Sequence, residues 1–439
     1  TKHNEVAPAQ HELAPVFDTT NVAVDHNQLT MEIMKKVADK HDLVCLLHEK
    51  PFEGINGSGK HNNWSMITDD GVNLLDPGKT PSENIQFLVF LMAVIKAVDE
   101  YADLLRISVA SAGNDHRLGA NEAPPAVVSI FLGDELTEVL KSIENDTYFT
   151  SHGAVQMDIG ATVLPHFVKD NTDRNRTSPF AFTGNKFEFR MLGSAASVAN
   201  PNIVLNTAVA EALDQFAKEL DGVAPEDMEH AVHELIKRAI KKHKRVIFNG
   251  NGYTDEWIEE AKKRGLYNLK STPDALPMWI AQKNIDLFTK HSIFTSEELH
   301  SRYEIWLENY SKTINIESNT MVEMVQKDLL PSVMSYIEEI ASTASLKASV
   351  VPGITCESET ALITKLSELQ DAMTKGLEKL KSDTAKARAT EDVLENAKLY
   401  QAKVLEDMEE LRKSADAAET LIPDDLLPYP TYGKLLFYI

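Results

Sequence analysis

Apolar residues recur at intervals of three and four along much of this chain, which predicts many helices. Residues 29–41 have the pattern of an amphipathic helix, and residues 82–106 have that of a long helix with one apolar face. Residues 203–247 and 276–345 are also predicted to be mostly helical. Helices therefore dominate after about residue 200, whereas the residues before it mix helices with short strands.

Two segments have the patterns of β-strands. Residues 42–48 contain the apolar run from Leu43 to Leu47 and are predicted to form a buried strand. Residues 185–191 alternate between apolar and charged side chains, which predicts a strand with two different faces. The apolar face holds Phe187 and Phe189, and the charged face holds Lys186, Glu188 and Arg190.

The C-terminal part of the chain has the pattern of a helical hairpin. Val351, Pro352 and Gly353 interrupt the preceding helix, and residues 358–419 then carry two apolar stripes typical of an antiparallel coiled coil. The stripes are Leu362, Leu366, Leu369, Met373, Leu377 and Leu380, and Val393, Ala397, Tyr400, Val404, Met408 and Leu411. Packing of one helix on the other is favoured over a binding role. The tail, residues 423–439, is rich in proline and aromatic residues and is predicted to dock onto another surface.

Composition excludes some classes of protein. A formal net charge of −23 argues against non-specific nucleic-acid binding, which depends on clustered Lys and Arg. The longest apolar run, residues 87–95, is too short to span a bilayer. With two cysteines, Cys45 and Cys356, the chain fits a reducing compartment and we expect a cytoplasmic protein. The first residue is Thr, so the chain is expected to be processed or to belong to a longer polypeptide.

The first cluster that could carry chemistry contains Glu5 and Glu12. Pro8 lies between them and forces a bend, so two short extended pieces could aim both carboxylates into one site. Converging carboxylates are suitable ligands for a hard divalent cation. The alternative is a pair of surface glutamates.

The second cluster is the segment from Lys50 to Ser65. Glycines at positions 54, 57 and 59 allow the backbone to approach a ligand, and His61 follows them as a candidate metal ligand. The Gly-Lys-Ser/Thr ending of a phosphate-binding Walker loop is absent from this segment. An ordinary glycine-rich turn is the alternative.

Two further clusters combine cations with a carboxylate. Arg117 and Glu122 lie on a stretch that ends in two prolines and is predicted to be a loop, where they could form a site or a surface ion pair. On the predicted strand, Glu188 lies between Lys186 and Arg190, an arrangement that suits a metal with a bound phosphate or, alternatively, a solvated strand face.

A further glycine-rich stretch, residues 249–252, is interpreted differently. It precedes Thr254, which is a good N-terminal cap for the segment around Trp257. We therefore interpret it as a turn and a helix cap, and not as a phosphate loop.

Taken in order, these motifs resemble the glutamine synthetase family over residues 2 to about 220. The most specific match is the Asn-Gly-Ser-Gly-x-His sequence at residues 56–61. The other matches are the Glu5 to Glu12 segment, the Arg117 to Glu122 segment that leads into Glu-Ala-Pro, Arg174-Asn-Arg176, the strand at residues 187–190 and Ala199-Asn200-Pro201.

Several departures from the common pattern resemble the type III branch of that family. Glu5 and Glu12 are one residue closer than in type I enzymes, and Asn63 stands where type I has a second histidine. Arg176 is followed by Thr-Ser-Pro-Phe, so a further type I arginine has no clear counterpart. The stretch from Phe248 to Leu266 and the helical C-terminal extension also resemble type III. The segment that carries the adenylylated tyrosine of regulated type I enzymes has no match.

The resemblance implies an enzyme that ligates ammonium to the γ-carboxylate of L-glutamate with ATP, through γ-glutamyl phosphate. It implies two or more Mg²⁺ or Mn²⁺ ions, with Glu5, Glu12, His61 and Glu188 as ligands. Further roles are implied for substrate binding by Asn56, Gly57 and Arg117, for catalysis by Glu122, Arg176 and Arg190, and for nucleotide binding by Asn63, Ser65 and Lys186. A γ-glutamyl-amine synthetase and a non-catalytic oligomer scaffold stay open as alternatives.

The fold implied is α+β: an antiparallel sheet of a partial barrel with surrounding helices, followed by a mostly helical C-terminal region with a hairpin. The resemblance also implies a homo-oligomer of stacked rings with active sites between subunits, and no membrane or nucleic-acid partner. It implies upstream segments, among them an E-x-E strand with one more ligand for each metal, without which the isolated chain would be incomplete. The expected divisions are residues 1–220 and 221–350 of the catalytic domain, 351–422 for the hairpin and 423–439 for the tail.

Overall fold

The computed structural model describes residues 2–7, 9–147, 156–157, 167–168 and 177–437. It divides into two compact units, Thr1–His300 and Ser301–Ile439. Strands lie in the first unit beside helices, which confirms the α+β class, whereas the four-part division expected from the sequence stays a prediction. Among the described helices, none is long and apolar enough to cross a membrane.

The bounds of the elements are as follows. The strands are β1 (Lys2–Asn4), β2 (His11–Leu13), β3 (Gly59–Trp64), β4 (Ile130–Phe131), β5 (Gln156–Met157), β6 (Phe167–Val168), β7 (Phe180–Phe182) and β8 (Phe187–Gly193). The helices of the first unit are α1 (Thr20–Asp39), α2 (Ile85–Glu100), α3 (Ala102–Ile107), α4 (Ala112–Arg117), α5 (Asp134–Glu144), α6 (Ala199–Leu220), α7 (Met228–His243), α8 (Asp255–Lys263), α9 (Thr272–Ala275) and α10 (Gln282–Lys290). The remaining helices are α11 (Ser296–Met324), within which the boundary between the units falls, α12 (Leu330–Val350), α13 (Glu357–Arg388), α14 (Val393–Leu399), α15 (Leu405–Glu419) and α16 (Tyr432–Phe437).

The main sheet has four strands in the order β3-β8-β7-β4. Strand β8 pairs antiparallel with both β3 and β7, and β4 pairs parallel with β7. The alternation that predicted β8 is confirmed, since Phe187 and Phe189 are fully buried. Their rings pack against Phe180, with centroids 4.8 and 5.9 Å away. This apolar face anchors the sheet and leaves the other face of β8 for polar side chains.

Helix α2 lies against this core and is buried on nearly every side. The Asn84 side chain caps its first turn by accepting a hydrogen bond from the Phe87 backbone N–H at 3.0 Å. The Phe87 ring contacts the Phe182 ring at 5.8 Å. The single helix predicted over residues 82–106 is interrupted at Tyr101, so that α2 and α3 follow each other. We expected a helix with one buried apolar face, but α2 is buried on nearly all of its faces.

The prediction of a buried strand over residues 42–48 is wrong. The segment is irregular and Leu43, Val44 and Leu46 are exposed. Two of its backbone groups form hydrogen bonds outside any strand pairing. The Leu43 N–H donates to the Ala38 carbonyl at the end of α1, and the Ser194 hydroxyl donates to the Leu47 carbonyl. An apolar run becomes a buried strand only when a neighbouring strand and a covering layer are available to it. The predicted helix at residues 29–41 is confirmed as α1, which begins earlier, at Thr20, and has no buried residue.

The second unit confirms the helical hairpin. Helix α12 ends at Val350, before the predicted break, and α13 packs against α15. The predicted stripes supply the contact: Leu366, Leu369, Met373, Leu377 and Leu380 are buried, as are Ala397, Tyr400, Val404 and Leu411. The tail packs on this same unit, where the Ser332 hydroxyl donates to the Leu426 carbonyl and the Tyr429 hydroxyl donates to Glu419 at 3.2 Å.

We expect Phe187→Ala to lower the free energy of unfolding of this chain by about 3–5 kcal/mol, because it empties a fully buried site within the ring cluster. Urea unfolding followed by tryptophan fluorescence measures the change. Ile67→Ala, at a side chain that is 64% exposed, is the control and should cost less than about 1 kcal/mol. Equal losses in the two variants would contradict the assignment of this core.

Candidate functional site

The predicted ligands His61 and Glu188 are brought together by the pairing of β3 with β8. Asn63 lies directly opposite Glu188, and the register shifts by one residue between Lys60 and Asn62. The extra residue is on β8, so that His61 faces both Arg190 and Met191 across this β-bulge. Because alternate residues share a face, His61 and Asn63 lie on the same side of the sheet as Glu188. The His61 Nδ1 and Glu188 Oε1 atoms are 2.7 Å apart.

The surroundings keep Glu188 ionised. Burial by itself raises the pKa of this carboxyl, but the hydrogen bond from His61 and the positive charge of Arg190 outweigh burial and hold the pKa at about 2. The Arg190 guanidinium donates to Glu188 Oε2 through Nε at 3.1 Å and through a terminal nitrogen at 2.8 Å. The side chain of Arg190 is 4% exposed and that of Glu188 is 16% exposed. The pair therefore combines a carboxylate and an imidazole in a sheltered position that is still open to solvent.

The opposite face of β3 attaches the strand to helix α6. The Trp64 indole N–H donates to Asn206 at 2.8 Å, and the Asn62 amide donates to Asn202 at 3.1 Å. These bonds fix which face of β3 is turned to the helix. His61 and Asn63 are consequently held on the face that carries Glu188.

Arg117 ends helix α4 and is buried beneath the glycine-rich loop. Its guanidinium donates to the Leu192 carbonyl at 3.1 Å and to the Arg190 carbonyl at 3.2 Å. A side-chain carbon at Gly59 would overlap the Arg117 guanidinium, so glycine is required there for the loop to lie this close. Burial lowers the pKa of Arg117 to about 10, and the negative charge of Glu49 opposes that shift. The group therefore stays positively charged at neutral pH.

Two residues predicted to bind or close over the substrate contact each other. The Asn56 side-chain amide donates to Glu122 Oε2 at 2.8 Å. Glu122 and its neighbour Asn121 both have positive φ angles, 66° and 51°. Non-glycine residues rarely adopt this conformation, and it is concentrated at functional sites. The Tyr253 hydroxyl donates to the adjacent Ala123 carbonyl at 2.9 Å and supports this turn.

The segment that carries Glu5 and Glu12 forms the predicted pair of extended pieces. Strands β1 and β2 pair antiparallel, with His3 opposite Glu12. The Gln10 side chain lies between them in sequence and donates to the Gly57 carbonyl and the Ser58 hydroxyl, both at 3.1 Å. The segment is thus attached to the glycine-rich loop. Glu12 is exposed, and among the described residues neither glutamate forms a group of three metal ligands with His61 and Glu188, so their metal role stays a prediction.

Of the residues predicted to bind nucleotide and phosphate, some lie within the described part of the chain and one does not. Ser65 directly follows β3, and its hydroxyl donates to Asn73 at 2.7 Å and to the Asn185 carbonyl at 3.2 Å. Lys186 follows Asn185 in the turn between β7 and β8, one residue before β8 begins. Arg176, with Arg174, lies outside the described residues. The interpretation of residues 249–252 as a turn with a cap is confirmed, since the Thr254 hydroxyl accepts from the Trp257 N–H at 3.2 Å.

Sequence reasoning gave no role to Glu49 or to the side chain of Gln10. Glu49 is 5% exposed and accepts a hydrogen bond from the Ala195 N–H at 2.9 Å. In the sequence Glu49 follows an apolar run and immediately precedes Lys50-Pro51, a position where a surface charge would be expected, so no signal predicts its burial. Gln10 could be identified as a link only from its contacts across the fold.

Comparison with known proteins places these features in a family. Residues 1–128 match the model described as the glutamine synthetase catalytic domain, and residues 231–347 match that of the glutamine synthetase C-terminal domain. Over its whole length the chain is 58% identical to a glutamine synthetase of Butyrivibrio fibrisolvens, 47% identical to a type-3 glutamine synthetase of Dictyostelium discoideum and 39% identical to a glutamine synthetase of Bacteroides fragilis (strain YCH46). The chain spans 62%, 60% and 61% of the lengths of these relatives.

We expect Glu188→Gln to destabilise the metal-free chain at neutral pH, because it removes the charge that His61 and Arg190 bind. The pKa of Glu188 is lowered, so its contribution is complete above about pH 4.5 and is lost as the pH falls towards 2. Urea unfolding in EDTA between pH 2 and 7 measures the free energy of unfolding. The difference between wild type and Glu188→Gln should be constant above about pH 4.5 and should shrink as the pH falls from there towards 2. Exposed Glu226→Gln is the control. A difference that stays constant with pH would refute this charge assignment.

Proposed function

The chain belongs to the glutamine synthetase family, and we propose that the protein joins ammonium to the γ-carboxylate of L-glutamate with ATP. One observation supports the proposal most: three groups with different predicted roles converge on one glycine-rich loop and the strand that follows it. These are the His61–Glu188 pair, the buried Arg117 and the Asn56–Glu122 contact. A ligand site, a substrate cation and a closing acid are the parts that this reaction requires.

The donor atoms fit a pair of hard divalent cations. His61 and Glu188 would hold the ion that faces the nucleotide, and Glu5 and Glu12 would hold the ion that faces glutamate. Carboxylate oxygens with an imidazole nitrogen suit Mg²⁺ or Mn²⁺, and Glu188 already has the ionised form that a ligand needs. When bound, the ions would neutralise charge on the phosphoryl group during its transfer.

The substrate glutamate would be oriented by groups from the same loop. Arg117 would bind its carboxylate, since the bonds to backbone carbonyls leave part of the guanidinium fork for a ligand. Asn56 and Gly57 would fix the amino-acid end. Glu122 would close over the site and take a proton from ammonium, and its contact with Asn56 supports both assignments.

The reaction proceeds in two displacements. An oxygen of the glutamate γ-carboxylate attacks the γ-phosphorus of ATP, the bond to ADP breaks, and γ-glutamyl phosphate forms. Ammonia, left after Glu122 takes the proton, attacks the activated carbonyl; the C–N bond forms and phosphate leaves. Arg190, Arg176 and Asn63 would contact the transferring phosphate, and Ser65 and Lys186 would lie near the nucleotide. Closure of the site excludes water, which would hydrolyse the intermediate.

Other features of the proposal concern the whole assembly. We propose a cytoplasmic homo-oligomer of stacked rings with active sites between subunits, in which the hairpin at residues 358–419 contributes contacts. The segments that the relatives have in addition to the matched part would supply further metal ligands and the ammonium-binding aspartate.

The experiment that tests the reaction is an assay of the full-length protein with ATP, glutamate, Mn²⁺ or Mg²⁺ and a set of nitrogen nucleophiles. We expect phosphate release with ammonium to exceed that with ethylamine or longer amines by more than about tenfold, and glutamine to be the product by mass spectrometry. A preference for an amine would identify a γ-glutamyl-amine synthetase. The absence of both turnover and Mn²⁺ binding by calorimetry would favour a scaffold.

We expect His61→Ala in the full-length enzyme to weaken Mn²⁺ binding about 10–100-fold and to reduce kcat, because it removes a ligand and the imidazole that lies beside Glu188 Oε1. Mn²⁺ titration followed by calorimetry measures the affinity, and exposed His41→Ala is the matched control. Unchanged affinity and activity would show that His61 is not a ligand.

A further inference from the structure

Glu49 is a buried carboxylate to which the proposed function gives no part. It follows residues 42–48, most of which are exposed, and is itself 5% exposed. Its Oε1 accepts from the Ala195 N–H at 2.9 Å, just after β8, and its backbone carbonyl accepts from the Ser58 N–H at 2.8 Å, within the glycine-rich loop. One residue thus joins two segments of the site.

Glycines surround this residue. A side-chain carbon at Gly113 or at Gly193 would overlap the Glu49 carboxylate, and one at Gly57 would overlap its backbone carbonyl. Gly113 lies on α4, one helical turn before Arg117, so the carboxylate also touches the helix that carries the substrate cation. Gly113 and Gly193 leave space for the glutamate side chain, and Gly57 leaves space for its backbone carbonyl.

The negative charge of Glu49 also stabilises the neighbouring cation. Arg117 is a buried cation, and the negative charge of Glu49 acts on it against the cost of burial. The chain carries a net charge of −23, yet here a buried carboxylate lies close to a buried cation. Such a charge favours keeping Arg117 in its present place beneath the loop.

We propose that Glu49 is the positioning residue of the glutamate-binding site, where it fixes Arg117 and the loop at residues 56–59 relative to each other. Glu49 acts through these groups and contacts no reacting atom. The inference depends on the proposed function only for the identity of the substrate that Arg117 binds.

Steady-state kinetics of the full-length enzyme test the consequence. Glu49→Gln keeps the volume and the acceptor for the Ala195 N–H but removes the charge. We expect the KM for glutamate to rise about tenfold, which corresponds to about 1.4 kcal/mol of binding free energy. The values of kcat and of the KM for ATP should change less than about threefold. Exposed Glu83→Gln is the control and should change none of these values. An unchanged KM for glutamate in Glu49→Gln would refute the role.

A double-mutant cycle tests the contact itself. Gly113→Ala places a methyl group where the Glu49 carboxylate lies, and we expect it to raise the KM for glutamate in the wild-type background. Glu49→Ala removes the carboxylate and makes room for that methyl group. Adding Gly113→Ala to Glu49→Ala should therefore have little further effect. Additive effects of the two changes would contradict a role that passes through this contact.

Hydrogen exchange followed by mass spectrometry tests positioning without relying on turnover. We expect Glu49→Ala to increase exchange in peptides covering residues 56–60 and 112–118, and Glu83→Gln to leave both unchanged. Increased exchange in a full-length protein that makes no glutamine would overturn the proposed function and leave the positioning intact. Increased exchange with an unchanged KM for glutamate would show that Glu49 is structural alone, and unchanged exchange would overturn the inference while the enzyme assignment stands.

Discussion

The antiparallel pairing of β3 with β8 is the constraint on which the candidate site depends. The bulge in this ladder puts His61 opposite two residues of β8, and the shared face then brings its imidazole to 2.7 Å from Glu188. A register without the bulge would change which β8 residues His61 meets. Phe187 and Phe189 hold β8 from its other face, and the bonds from β3 to α6 hold the partner strand. The chemistry of one face is therefore fixed by packing on the other.

Close packing at Gly57 and Gly59 determines how the glycine-rich loop lies over Arg117. Gly57 and Gly59 were expected to let the backbone approach a ligand, and the structure shows that they also make room for protein groups, Glu49 and Arg117. A buried guanidinium that binds backbone carbonyls can retain its charge at neutral pH, even though burial lowers its pKa. The acidic chain thus presents a local cation where an anionic substrate is proposed to bind. Loop, helix α4 and strand β8 act as one packed unit.

Elements with strong periodicity could be predicted from the sequence, and those that depend on neighbours could not. The alternation in β8 and the stripes of α13 and α15 are local patterns, and both are confirmed. The apolar run at residues 43–47 has the composition of a buried strand, but its backbone bonds to the end of α1 and to Ser194, and so no strand forms. The site motifs were identified by their order along the chain. Their contacts, such as Asn56 with Glu122 and Gln10 with Gly57, arise from the fold, and a lone Glu49 carries no pattern that predicts burial.

The central claim is that His61, Glu188, Glu5 and Glu12 bind two divalent cations at one site. A crystal structure of the full-length protein with Mn²⁺, analysed by anomalous difference density, tests it most directly. We expect one peak within coordination distance, about 2.1 Å, of His61 and Glu188 and a neighbouring peak on Glu5 and Glu12. Manganese bound elsewhere, with the hydrogen bond between His61 and Glu188 intact, would contradict it.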